Sequence, residues 1–113
     1  MDERIIIGIV EKIVVQGSNG QEELLAKIDT GATKSSIDSQ LAGKLYLGPI
    51  TKTRLVKSAH GNKLRPVIEV TLTLAKKKVT SEFTIADRRH MKYKVLIGQN
   101  TLQHGYIIDP SIK

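Results

Sequence analysis

At 113 residues the chain has the size of one domain with a single core, and residues 1–113 are expected to form it. The absence of cysteine excludes a disulfide framework, a thiolate zinc site and a thiol nucleophile, and fits a reducing cytoplasm. A formal charge of +7 and a pI near 9.8 favour anionic partners, yet one Phe, three Tyr and no Trp offer few platforms for base stacking. Nucleic acid is therefore disfavoured, and a solvated basic surface is the plainer reading.

The opening "MDERIIIGIV" sets two acids before an apolar run too short for a signal-peptide core or a membrane span, so a soluble, cytoplasmic chain is expected. "RIIIGIVEKIVV" and "EELLAKI" flank the polar turn "QGSNGQ" and predict a β-hairpin. A loop around Asp29 follows, then "SSI". Residues 39–49 have room for one helical turn, and Gly43, Gly48 and Pro49 stop it from growing. "TKTRLVKSA" and "KLRPVIEVTLTL" are strand-like on either side of "HGN", a second hairpin. "KKVTSEFTIA" alternates Val79, Ser81, Phe83 and Ile85 with polar neighbours. "YKVLIG" is a short apolar strand, "QNTLQHG" a short helix with Asn100 as a candidate cap and Gly105 as its stop, and "YIID" a last strand. Many short strands and regular turns indicate an all-β barrel or sandwich.

Asp-Thr-Gly at Asp29–Gly31 is weak by itself, because an ordinary tight turn uses the same residues. Its setting adds weight: an apolar strand precedes it, Ala32 and hydroxyl residues follow, and a second apolar-apolar-Gly segment, Leu96, Ile97 and Gly98, lies downstream. Here the sequence resembles the retropepsin-like aspartic peptidases. "DTGATKSSI", "SAHGNKLRPVIEVTL", "DRRHMKYKVLIGQNTL" and "YIIDPSIK" together are similar to the RimK-associated subfamily, often labelled ATP-dependent zinc protease.

The resemblance implies a closed acid-protease barrel with one short C-terminal helix and a peptide-hydrolysing activity. Asp29 would be the catalytic carboxylate, with Thr30, Gly31 and Ala32 supporting its loop. Leu96, Ile97 and Gly98 would form the strand behind the site, and His60, Gly61 and Asn62 the tip of a flap. Arg65 is left open between a substrate-facing and a structural cation. The subfamily usually has arginine where this chain has Gln99, which removes an ion pair at the helix start or dimer edge.

Two carboxylates must share a proton in the aspartic mechanism, and only Asp29 has the Thr-Gly context; Asp38, Asp87 and Asp109 lack it. A homodimer is therefore required for activity, and the resemblance implies that Thr30 bonds across it. Ala32 has no hydroxyl to donate to the charged dyad, so the pH optimum is expected nearer neutrality than that of pepsin-like enzymes. No cofactor is expected. There is no phosphate loop for ATP, and His60, His90 and His104 are too scattered in sequence for a zinc site, so no metal residue is assigned and a metallopeptidase is disfavoured. The basic charge suggests acidic peptide segments as substrate. The competing readings are a catalytically inactive β-barrel that binds peptides or proteins and a basic nucleic-acid-binding domain.

Overall fold

Alternating burial along the strands determines which side of each one faces the core. In the computed structural model, which describes residues 3–59 and 61–112, Ile13 and Val15 of strand β2 (Val10–Gly17) are buried, while Val14 between them is half-buried and Lys12 before them is exposed. β2 turns at Ser18 and Asn19 into β3 (Gly20–Ile28), in antiparallel register from Gly17↔Gly20 to Val10↔Lys27. This is the first predicted hairpin. Its long leading strand is broken, however: β1 (Ile5–Ile7) ends at Gly8 and pairs elsewhere. A Cβ on Gly8 would stand 2.4 Å from the Ile112 carbonyl oxygen, so the C-terminal segment crosses where only glycine leaves room.

After β4 (Ser35–Asp38), helix α1 (Ser39–Lys44) makes a second helix beside the short C-terminal one expected. Asp38 caps it, accepting from the Gln40 amide. Then come β5 (Ile50–Ser58), β6 (Gly61–Leu74), β7 (Lys77–Ala86), β8 (Val95–Ile97), α2 (Gln99–Leu102) and β9 (Tyr106–Ile108).

Six strands close a barrel in the order β2-β3-β8-β4-β7-β6, with β6 returning to β2. Closure depends on β6, which is 14 residues long and changes partner along its length. Its first part, to Ile68, pairs with β5, and Thr71 to Leu74 pair with β2. The β5–β6 ribbon consequently projects from the barrel. Ile13, Val15, Ile37, Ile68, Leu72, Leu74, Phe83, Val95 and Ile97 fill the interior. β1 and β9 form a separate parallel pair, Ile5↔Tyr106 to Ile7↔Ile108. No helix among the described residues is long and apolar enough to cross a membrane.

Candidate active site

Asp29 follows directly on β3, whose last residues run parallel to β8 in the register Ile28↔Ile97. The ladder continues one step, the Asp29 amide donating to the Ile97 carbonyl at 2.9 Å. The chain then folds back on itself. Asp29 Oδ1 accepts from the Gly31 amide at 2.9 Å, and the Asp29 carbonyl accepts from the Ala32 amide at 3.3 Å. Such an Asx-turn fixes the carboxylate's orientation. Oδ2 has no hydrogen bond among the described residues. Asp29 is half-buried and Thr30 and Gly31 are exposed, so the carboxylate sits at the surface of the barrel.

Leu96, Ile97 and Gly98 lie behind this loop, and the contact is made through backbone. The amides of Gln99 and Asn100 donate to the carbonyls of Ala32 (2.8 Å) and Thr33 (3.2 Å). Gly98 is buried, and a Cβ there would stand 2.5 Å from the Lys34 carbonyl oxygen and 2.9 Å from that of Ala32. Gln99, where the subfamily's arginine was expected, donates from Nε2 to the Thr30 carbonyl at 2.7 Å and ties the loop by a neutral bond.

Beneath the loop lies a polar cluster that the sequence did not single out. Ser35 Oγ accepts from the Gly98 amide (2.9 Å), contacts Thr101 Oγ1 (2.6 Å) and donates to Asn100 Oδ1 (3.0 Å). Thr101 and Asn100 continue to Ser81 Oγ at 2.9 and 3.1 Å. Ser35 and Thr101 are fully buried, so these bonds satisfy groups that would otherwise be costly to enclose. Asn100 thus joins β4 to β7 rather than capping α2, whose N-cap Gly98 has no side-chain bond.

The other aspartates among the described residues have partners of their own. Asp38 holds the amides of Gln40 and Arg88, Asp87 pairs with Arg89, and Asp109 accepts from Ser111. None comes with the Asp29 loop's geometry. Of the expected flap tip, Gly61 and Asn62 begin β6 at the end of the projecting ribbon, Gly61 with φ near 109°; His60 lies outside the described residues. Among the described residues no three His, Asp or Glu side chains gather in a way that could hold a metal ion.

Cations dominate the space between ribbon and loop. A groove of about 420 Å³ is lined by Thr33, Lys34, Arg54, Lys57, Arg65 and Thr84 together with Leu55 and Val56. Beside it Glu82 bridges Lys34 and Lys52, each at 3.0 Å, and these two bonds hold its carboxyl below the ordinary glutamate range. Arg88 is only 9 % exposed and donates from Nε to the Tyr93 carbonyl. Burial and then the field of Arg65 lower its affinity for the proton, while Asp38 and Asp29 act in the opposite sense.

The family model described as "Retropepsin-like aspartic endopeptidase RimB" matches residues 40–113. The chain belongs to the RimB-like family. The match takes in the ribbon, β7, β8 and α2 and begins beyond Asp29. The RimB-like chain is also similar to solved structures. A crystal structure of a protein with unknown function from Legionella pneumophila aligns with TM-score 0.68 at 22% identity, over 98% of this chain and 97% of that one. The solution structure of simian foamy virus (mac) protease aligns with TM-score 0.61 at 22% identity, over 83% and 91%. These likenesses establish the retropepsin-like fold. In sequence, 66 residues are 33% identical to a protein named probable alpha-L-glutamate ligase from Desulfotalea psychrophila. That alignment covers 58% of this chain and 14% of the length of the relative.

Proposed function

We propose that this RimB-like chain is an aspartic endopeptidase whose active site is assembled across a C2 homodimer. The observation that carries this reading is the Asp29 loop. One carboxylate oxygen is held by the Gly31 amide, the other carries no bond among the described residues, and the whole turn is fastened to β8 and α2 by backbone bonds. One such carboxylate per chain is half of an aspartic site. Its symmetry mate completes the dyad, because an isologous interface brings the same residue to both sides of the axis.

In the assembled site one carboxylate removes a proton from water, whose oxygen attacks the scissile carbonyl carbon. The other carboxyl donates its proton to the carbonyl oxygen. Collapse of the tetrahedral adduct breaks the C–N bond and passes a proton to the leaving amine. Thr30 would bond across the interface beneath the dyad. The surface around Thr30 suits a contact between copies: Thr30 shares a depression of about 540 Å³ with Arg4, Gln99, Gln103 and Tyr106, next to the β1–β9 pair. In that pair the register neighbours Ile6 and Ile107 are 60% and 45% exposed.

Acidic peptide segments are the substrate class that the charge of +7 favours. Similarity to a protein named as a glutamate ligase agrees with an acidic peptide as the molecule handled. A monomeric chain would hold half a dyad, and in that state the groove could bind peptide without cutting it.

The test is Asp29→Asn. Cleavage of a glutamate-containing peptide is expected to fall by roughly a thousandfold, with circular dichroism and sedimentation unchanged. Retained cleavage by that variant would remove Asp29 from the mechanism.

A further inference from the structure

Arg54 and Arg65 stand directly opposite one another in the antiparallel β5–β6 register. Residues so paired project from the same face of a ribbon, and like charges in that position destabilise it. Some basic side chains of the surface meet acidic ones: Lys12 with Glu23, Lys44 with Glu22, Arg89 with Asp87, and both Lys34 and Lys52 with Glu82. Neither Arg54 nor Arg65 has a carboxylate within ion-pair distance among the described residues. Both are half-buried, so neither escapes the other by swinging fully into water.

Their surroundings add to the imbalance. Both line the groove between the ribbon and the candidate active-site loop, with Lys34 and Lys57 on the same walls. Arg88, nearly buried and also without an ion-pair partner, lies within the field of Arg65. Of the carboxylates nearby, Glu82 is engaged by two lysines and Asp38 by two amides, and Asp29 belongs to the candidate active-site loop itself. Glu82 also shows how this region holds a carboxylate, with cations from the loop and from β5 closing on it at 3.0 Å. A guanidinium presents a planar fork that matches a carboxylate in two parallel bonds.

We propose that Arg54 and Arg65 form a subsite for a carboxylate side chain, glutamate or aspartate, of a peptide lying in the groove between the β5–β6 ribbon and the Asp29 loop. A substrate carboxylate between the two guanidiniums supplies the negative charge that the chain itself lacks there. The groove also suits the rest of a peptide, with Leu55 and Val56 for apolar contact and the exposed hydroxyl of Thr33 for polar contact. The subsite depends on the peptidase reading for its place beside a scissile bond, but not for binding.

The test separates the two. Binding is read by fluorescence anisotropy on the full chain carrying Asp29→Asn, with a labelled peptide bearing glutamates and a matched peptide bearing glutamines. Arg54→Gln and Arg65→Gln are each expected to weaken the glutamate peptide about tenfold and to leave the glutamine peptide unchanged. Neither should lower the thermal midpoint, since each relieves a like-charge pair. Arg65→Glu should reverse the preference toward a lysine-bearing peptide. Equal weakening of both peptides, or unchanged binding of the glutamate peptide, would overturn the subsite. So would a duplex oligonucleotide or inorganic phosphate that uses these arginines more tightly than the glutamate peptide does. Cleavage surviving Asp29→Asn defeats the peptidase reading and leaves the binding result standing; arginine variants with unaltered affinity defeat the subsite and leave the peptidase reading standing.

Discussion

A methyl group on Gly98 would meet the backbone of Lys34 and Ala32, atoms that cannot rotate away as a flexible side chain would. Gly98→Ala is therefore expected to cost about 1–3 kcal/mol of stability, read as a lower urea midpoint at unchanged slope. Wild-type stability in that variant would mean that the loop and α2 are less tightly joined than their backbone bonds indicate. The residues carrying this junction were unequally legible. Asp29 and Gly98 belong to short motifs whose spacing points to chemistry. Ser35, Ser81 and Thr101 do not, because hydroxyl residues are common and nothing local marks which of them meet when the partners are 66 and 20 positions apart. Gln99 was read as the loss of an ion pair, and its bond to the Thr30 carbonyl is visible only once the loop is folded.

Between elements, Glu82 on β7 joins Lys34, on the loop before β4, to Lys52 at the base of the ribbon. Its carboxyl is held below the ordinary glutamate range, first by Lys52 and then by Lys34. A depressed folded-state value means that the stabilisation is present above the unfolded glutamate pKa and is lost as pH falls through the lowered folded value. Glu82→Gln should accordingly lower the thermal midpoint at neutral pH by an amount that shrinks toward zero on acidification. A difference that stays constant with pH would show that the bridge contributes through packing alone. Hairpins at "QGSNGQ" and "HGN" were readable because turn chemistry and alternation agree. The arginine pair comes from the register of the second, which sets Ser58 against Gly61 and hence Arg54 against Arg65. The split between β1 and β2 was hidden, because the apolar run continues through Gly8 and only the crossing of Ile112 interrupts it.

At the scale of the whole molecule, an all-β barrel could be anticipated from strand count and turn spacing, whereas its closure followed from the family resemblance alone. The parallel pairings β3–β8 and β4–β7, and the change of partner along β6, join segments distant in sequence with no local signature. The fold places one Asp29 loop at the barrel surface, and the proposed chemistry requires two. The most direct test mixes wild-type chain with Asp29→Asn at a concentration where both are dimeric, and measures cleavage as the variant is added to a fixed amount of wild type. Mixed dimers with one aspartate cannot share a proton between two carboxylates. At equal amounts the activity should fall to about half that of the wild type alone, and decline further with excess variant. Activity that stays constant as the variant is added would contradict a dyad shared between two chains.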